Sequence, residues 1–423
     1  MSGQITSNVF RGSGVIAATA GGLNWVSTVV TASTLTAEAG KGYWIDTTSN
    51  TCTITLPSSA ERGDQIVFID YARTWGTNKI IIDSNGLNYQ GDPDTFTVEY
   101  DTDGETLNIV YADATQGWIP LNDDDVTDAP VAQPTQKAIM GFGAVGGGAR
   151  TGVSNLVSSS GVIATDTSAV GTARMSLGGA PYGGDKGIFA YGDSGSLTNL
   201  SNLVSNSGVI AADVTGVGTA RRLLTGVGYG YTKAIFAYGN TGSVTAISNL
   251  VSDSGVVATD TSGVGTTRVY AGATTYGDDK AIFGYGQDSG GSAISLSNLV
   301  SNTGVVAADV TGVGTAREGP SGTRFGSSGQ GLFVGGKNAS NVKVNAVNIV
   351  SNTGVCATDT TASGTAMVYM GAAPYGGDKA IVAYGDTTAV SRLISNTGVV
   401  GTDVTGVGTA RYLLAACGYS YSA

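Results

Sequence analysis

Three stretches decide the fold: Lys233-Ala-Ile-Phe-Ala-Tyr-Gly239, Ser248-Asn-Leu-Val-Ser-Asp-Ser-Gly-Val-Val-Ala-Thr-Asp260 and Gly263-Val-Gly-Thr-Thr-Arg268. Together they make one unit, and the unit recurs. The Gly that opens Gly-Val-Val-Ala falls at Gly161, Gly208, Gly255, Gly304, Gly354 and Gly398, spacings of 44 to 50 residues. Self-similarity at this period marks a repeat architecture. An Asp follows each Gly five residues later, at Asp166, Asp213, Asp260, Asp309, Asp359 and Asp403. An Arg closes the unit at Arg174, Arg221, Arg268, Arg317 and Arg411, with Met367 replacing it once.

Each unit holds four short runs rich in Ile, Val, Phe, Tyr and Thr, punctuated by Gly, Ser, Asn and Asp. That pattern spells strands and turns, with no helical period to compete. In the unit around Lys233 the runs are Arg221–Val227, Lys233–Gly239, Ile247–Ser252 and Val256–Thr261. Four strands per unit of this length predict propeller blades. The order of the runs resembles a kelch-type blade, although the double glycine after the second strand survives only at Gly335-Gly336 and the outer-strand Trp is absent. The array starts with a second-type run, Lys137–Gly143, and finishes with a first-type run, Arg411–Cys417. Insertion of the last run beside the first would close the array and remove an unpaired strand edge. The expectation is an all-β chain whose residues 136–423 form a six-bladed β-propeller.

Residues 1–29 are small and polar and read as an attachment arm. Within them Ser7–Ala18 echoes Ser201–Ala212, half a repeat unit. Residues 30–122 read as a separate β domain, with hairpin signals at Asn85-Gly86 and Asp103-Gly104. Residues 123–135, Asp-Asp-Asp-Val-Thr-Asp-Ala-Pro-Val-Ala-Gln-Pro-Thr, read as an acidic linker.

The β domain carries Gly42-Tyr-Trp-Ile-Asp46, Thr53-Ile-Thr-Leu-Pro57, Gly63-Asp64, Asp70-Tyr-Ala72, Gly76-Thr-Asn78, Asn85-Gly86 and Asp113-Ala-Thr-Gln-Gly-Trp118. This series resembles a β domain of tailed-bacteriophage fibre and other virion proteins. The resemblance implies a structural virion component, made in the host cytoplasm, that assembles as a homotrimer. It would join other virion proteins through its N-terminal region. It implies no activity.

Composition narrows the function further. The 423 residues include 66 Gly, carry a net charge of −11 and contain no His. Without His there is no Ser-His-Asp triad and no His metal ligand. An acidic chain without a basic run argues against nucleic acid as partner. No apolar run approaches the length of a membrane span, so no membrane insertion and no signal segment are predicted. Cys52, Cys356 and Cys417 fall at apolar positions of strand-like runs and read as free core residues.

Repetition favours structural roles for the Asp and Arg series, since a blade-building residue is needed once per blade. The Asp residues read as caps of a turn after the outer strand. The Arg residues read as ligands of backbone carbonyls or of an Asp. Tyr191, Tyr238, Tyr285 and Tyr384 recur at the end of the second run, and Tyr182, Tyr229, Tyr276 and Tyr375 after the first. They read as packing between blades, with stacking on sugar rings at the strand ends as the alternative. Gly141-Phe-Gly-Ala-Val-Gly146 opens no helix, so it is no phosphate loop. Arg62-Gly63-Asp64 reads as a solvated turn. Asp101, Asp103 and the linker's Asp123, Asp124, Asp125 and Asp128 lack calcium-loop spacing. No catalytic residue, metal or cofactor is predicted.

The greatest departures from the repeat are Glu318–Arg324 and Lys337–Lys343. Arg324, Lys337, Asn338 and Lys343 are therefore the candidate binding residues, with a host-surface glycan or protein as partner. A tail fibre is the leading location, a head-decorating fibre or baseplate appendage the alternative. A carboxylate-based glycan hydrolase is the enzymatic alternative.

Overall fold

The computed structural model describes residues 23–94, 98–121 and 135–422. It is all-β: among the described residues the only helical element is a 3-10 turn at Gly146–Gly148. The expected arm up to residue 22, its Ser7–Ala18 echo and the linker from 122 to 134 lie outside the described residues. The chain divides into two compact units, residues 1–131 and 132–423, and each is taken by itself.

The N-terminal unit is built from two sheets between which successive strands alternate. One sheet runs Asn24–Trp25, Lys41–Ile45, Gln65–Asp70, Thr106–Asp113, Gly117–Pro120, and the other Thr34–Thr36, Cys52–Thr55, Ile80–Asp83, Val98–Tyr100. The first three strands of each sheet are parallel, so each odd–even pair makes one coil. Alternating burial along Cys52–Thr55 and Ile80–Asp83 turns Cys52, Ile54, Ile80 and Ile82 into the space between the sheets. Trp75 and Trp118 are fully buried in the same core. Residues 24 and 25, expected in the arm, belong to this unit.

Neither expected hairpin forms as such. Asn85 and Gly86 do adopt left-handed backbone, φ 54° and 85°, and the N–H of Leu87 meets the carbonyl of Ser84. Among the described residues the strands they separate pair from Ile82 and Val98 outward, well beyond a tight two-residue turn. Asp103-Gly104 joins strands of different sheets. The true hairpin is Thr106–Asp113 with Gly117–Pro120. There the Asp113 carboxylate accepts the N–H groups of Thr115 and Gln116, both at 2.9 Å. Gly117 follows at φ 69°, where a Cβ would collide with the Asn88 backbone. These contacts explain the Asp-Ala-Thr-Gln-Gly-Trp sequence as a turn that delivers Trp118 to the core.

The second unit holds six main sheets, numbered here in chain order. Sheet 1 sets Lys137–Gly141 between Ser154–Val157 and the C-terminal strand Ala415–Tyr419. Sheets 2, 3, 4 and 6 each have three antiparallel strands laid side by side in chain order, and their innermost strands are Gly178–Tyr182, Thr225–Tyr229, Gly272–Tyr276 and Gly371–Tyr375. Sheet 5 begins with Ser321–Phe325 and adds a short fourth strand, Thr360–Thr361. Innermost strands touch in order from sheet 1 to sheet 6, and that of sheet 6 touches that of sheet 1. Small residues permit this approach: a Cβ on Gly226 would lie 2.8 Å from the Gly179 carbonyl, and one on Gly179 2.7 Å from that of Ala416.

Two expected runs are shorter in the structure. The innermost strand of sheet 3 starts at Thr225 because Leu223 takes a left-handed turn, φ 61°. The outermost run is reduced to bridges at Val251–Val257 and Ser248–Thr261. Between them the Asn249 side chain occupies the ladder, donating to the Ala258 carbonyl at 2.9 Å.

Candidate functional site

The repeated polar residues meet in one network per sheet. Each Asp accepts from a Thr hydroxyl far away in sequence, at 2.5–2.7 Å, in the pairs Asp166–Thr409, Asp213–Thr172, Asp260–Thr219, Asp309–Thr266, Asp359–Thr315 and Asp403–Thr365. Each also accepts the backbone N–H of that Thr. The expected local turn cap is thus corrected. The carboxylate ties the outermost run to the segment that leads into the innermost strand, spanning the width of its sheet. Burial opposes the charge, but hydrogen bonds from Thr and Asn outweigh it and hold the Asp213 carboxyl below its ordinary value.

The Arg residues stand between sheets. Arg174, Arg221, Arg268, Arg317 and Arg411 are fully buried. Each guanidinium lies 3.8–4.4 Å from the ring centroid of Phe142, Tyr191, Tyr238, Tyr285 or Tyr384, on the preceding sheet. Arg174, Arg317 and Arg411 donate to Asn202, Asn348 and Asn155 at 2.6–2.7 Å. Arg268 donates likewise to Asn298. Burial lowers the pKa of Arg174 to about 10, so the cation persists at neutral pH. The recurring Tyr residues are buried beneath these guanidinium groups or between sheets. Every member of the Arg and Asp series is engaged in joining strands.

The one sheet that breaks the pattern supplies its own substitute. Sheet 6 has Met367 at the Arg position, facing Gly335 where the other sheets have an aromatic ring. Arg392 sits on its third strand where the others carry Asn, is fully buried, and meets Asp403 at 2.8 Å and Asn345 at 3.1 Å. Its other nitrogen donates to the Thr365 carbonyl. Arg392 escaped the sequence reading. Its signal is a paired departure: Arg appears at the Asn position in the one unit that lacks the usual Arg.

A closed circle of backbone hydrogen bonds surrounds the meeting point of the innermost strands. Ser176 donates to Leu413, Leu413 to Tyr369, Tyr369 to Gly319, Gly319 to Tyr270, Tyr270 to Leu223 and Leu223 to Ser176, at 2.8–3.2 Å. All six residues have φ between 52° and 63°. This left-handed region is uncommon for Leu and Tyr, and the surrounding circle holds them there. The cavity at this point measures about 120 Å³ and takes four residues from each sheet. Small-molecule pockets start near roughly 300 Å³, so this space suits water.

The four candidate binding residues do not come together. Lys337 and Asn338 lie beside Arg317-Glu318, ahead of the innermost strand of sheet 5. Arg324 lies near the far end of that strand and pairs with Asp278 at 3.3 Å. The strand itself separates the groups. Glu318 is nearly buried, pairs with Lys337 at 2.9 Å, and accepts the Tyr369 hydroxyl at 2.8 Å. Burial first, then the Glu318 contact, raises the Tyr369 phenol well above its ordinary value. Asn338 closes its own turn by accepting from Ser340 and Val342, and Lys343 pairs with Asp386 at 3.1 Å.

Among the described residues no three His, Cys, Asp or Glu side chains are grouped to hold a metal. The three cysteines are free thiols. Asp103 accepts the Gly76 N–H, and Arg62-Gly63-Asp64 is a turn in which Arg62 reaches Asp113 at 3.4 Å. Comparison with protein-family models and with curated proteins finds no match for this chain.

Proposed function

We propose that this chain is a non-enzymatic structural protein of a tailed-phage particle, a tail fibre or similar appendage. In this reading residues 136–423 form a six-bladed, kelch-like propeller that meets the host surface. The N-terminal region joins other virion proteins and brings three copies together. The observation that carries the propeller is the circle of six backbone hydrogen bonds, one residue per sheet. Pairing of Ala415–Tyr419 with Lys137–Gly141 supports the same closure. The phage assignment rests on the motif series from Gly42 to Trp118. Engagement of the repeated Asp and Arg residues in strand joining favours a scaffold over a catalyst.

Sedimentation of the purified protein tests the assembly, before and after cleavage in the 123–135 linker. The expected result is a trimer that releases a monomeric C-terminal fragment. A monomer throughout overturns the self-assembling trimeric fibre.

A further inference from the structure

We propose that the seam where the two ends of the second unit meet is a saccharide-binding groove, an inference that rests on the host-surface reading above. Sheet 1 differs from its fellows in one covalent respect. In sheets 2 to 6 a short turn joins the innermost strand to the second. In sheet 1 these strands come from opposite ends of the unit, so Tyr419 and Lys137 are register partners with no turn between them. Ser420 still makes the bond that the turn glycine makes in the other sheets: its N–H donates to the Asp185 carbonyl of sheet 2 at 2.7 Å, as that of Gly183 does to Thr232 of sheet 3, but the chain then continues to Tyr421 instead of turning back into a second strand.

The space left is a groove of about 780 Å³, within the usual range for organic ligands. Its chemistry suits a sugar. Tyr421 is 45% exposed and offers a ring face to the apolar side of a pyranose. Its hydroxyl lies over Gly184, at φ 76°, where any Cβ would collide with it. The corresponding turn residues are Tyr231 in sheet 3, Asp278 in sheet 4 and Gly377 in sheet 6, and here the absence of a Cβ lets Tyr421 lie across. Beside it, Asn206 donates to the Asp185 carboxylate at 3.0 Å. This planar pair keeps lone pairs and an amide hydrogen free for adjacent sugar hydroxyls. Lys137 adds an ammonium that forms no ion pair among the described residues. The exposed Val162 supplies an apolar edge.

The test is binding of the full chain to an array of two- to four-unit hexose and N-acetylhexosamine oligosaccharides, checked by saturation-transfer NMR. Adsorption to susceptible cells is measured in parallel. Tyr421→Ala and Asn206→Ala should each weaken saccharide binding at least tenfold. Tyr421→Phe should retain it. Unaltered melting curves exclude misfolding as the cause. Saccharide binding that survives Tyr421→Ala, or no saccharide binding by a chain that adsorbs to cells, overturns the groove while leaving the appendage reading intact. A chain that binds saccharides through Tyr421 but is missing from phage particles supports the groove and overturns the appendage.

Discussion

Arg392 reaches from the third strand of its sheet to Asp403 at 2.8 Å and supplies the guanidinium that Met367 lacks. The exchange keeps one buried Arg and one anchored Asp in every sheet. It also keeps a cation away from Gly335, the one junction without an aromatic ring to receive it. The network therefore specifies a charge at a place in the sheet, and two sequence positions can deliver it.

Arg392→Met should destabilise the second unit by about 2–3 kcal/mol, somewhat below a fully buried pair because Asp403 keeps solvent contact. Met367→Arg combined with Arg392→Asn should recover part of the loss. Urea denaturation of the two variants beside the unaltered protein measures this. Single and double variants of equal stability would argue against the exchange.

Gly187 and Cys417 form a size-matched pair between sheets 1 and 2. A Cβ at Gly187 would strike the Cys417 sulfur, and sheets with Ala at that position have no thiol opposite it. Gly187→Ala should cost about 1–3 kcal/mol through overpacking. Adding Cys417→Ala should restore most of it, a coupling that a double-mutant cycle reads directly. Burial pushes the Cys417 thiol up to about 12. It should therefore resist thiol reagents at pH 8 until the protein unfolds.

Acid should loosen the sheets. Asp166, Asp213, Asp260, Asp309, Asp359 and Asp403 all have depressed pKa values, because hydrogen bonds from Thr and Asn, and from Arg392 at Asp403, outweigh burial. A depressed folded value means the stabilisation is complete above the ordinary carboxylate value of 3.8. It fades as pH falls through the folded values below that. Tm should hold steady from pH 7 to about 5 and drop below about 4. Replacing one of these residues, Asp213→Asn, should lower Tm at pH 7 and shrink the acid-induced drop.

The strand content and the repeat were legible because Gly at each turn and the Asp five residues later mark every unit. The pairing of the two terminal strands was legible too, since the array starts and ends with complementary strand types. The parallel coils of the N-terminal unit were not. Asn85-Gly86 does form a left-handed turn, but its flanking strands pair well beyond a tight two-residue turn, and local turn chemistry cannot report which sheet a strand joins. The candidate binding residues were chosen as departures from the repeat. Glu318, Lys337 and Lys343 depart because they pair with one another or with Asp386 around Tyr369. The seam groove has no motif, because it arises from a missing covalent turn.

Removing residues 409–423 should expose the edge of Lys137–Gly141 and break the Arg411–Asn155 and Asp166–Thr409 ties. Unpaired edges invite association. The truncated protein should aggregate on size-exclusion chromatography, and a monodisperse product with unchanged Tm would contradict closure by the last strand.

Immunogold electron microscopy of purified phage particles, with antibody raised against residues 136–423, tests the central claim most directly. Gold confined to projecting appendages is the predicted result. Particles that carry none of the protein, while it accumulates free in the lysate, would contradict a virion role.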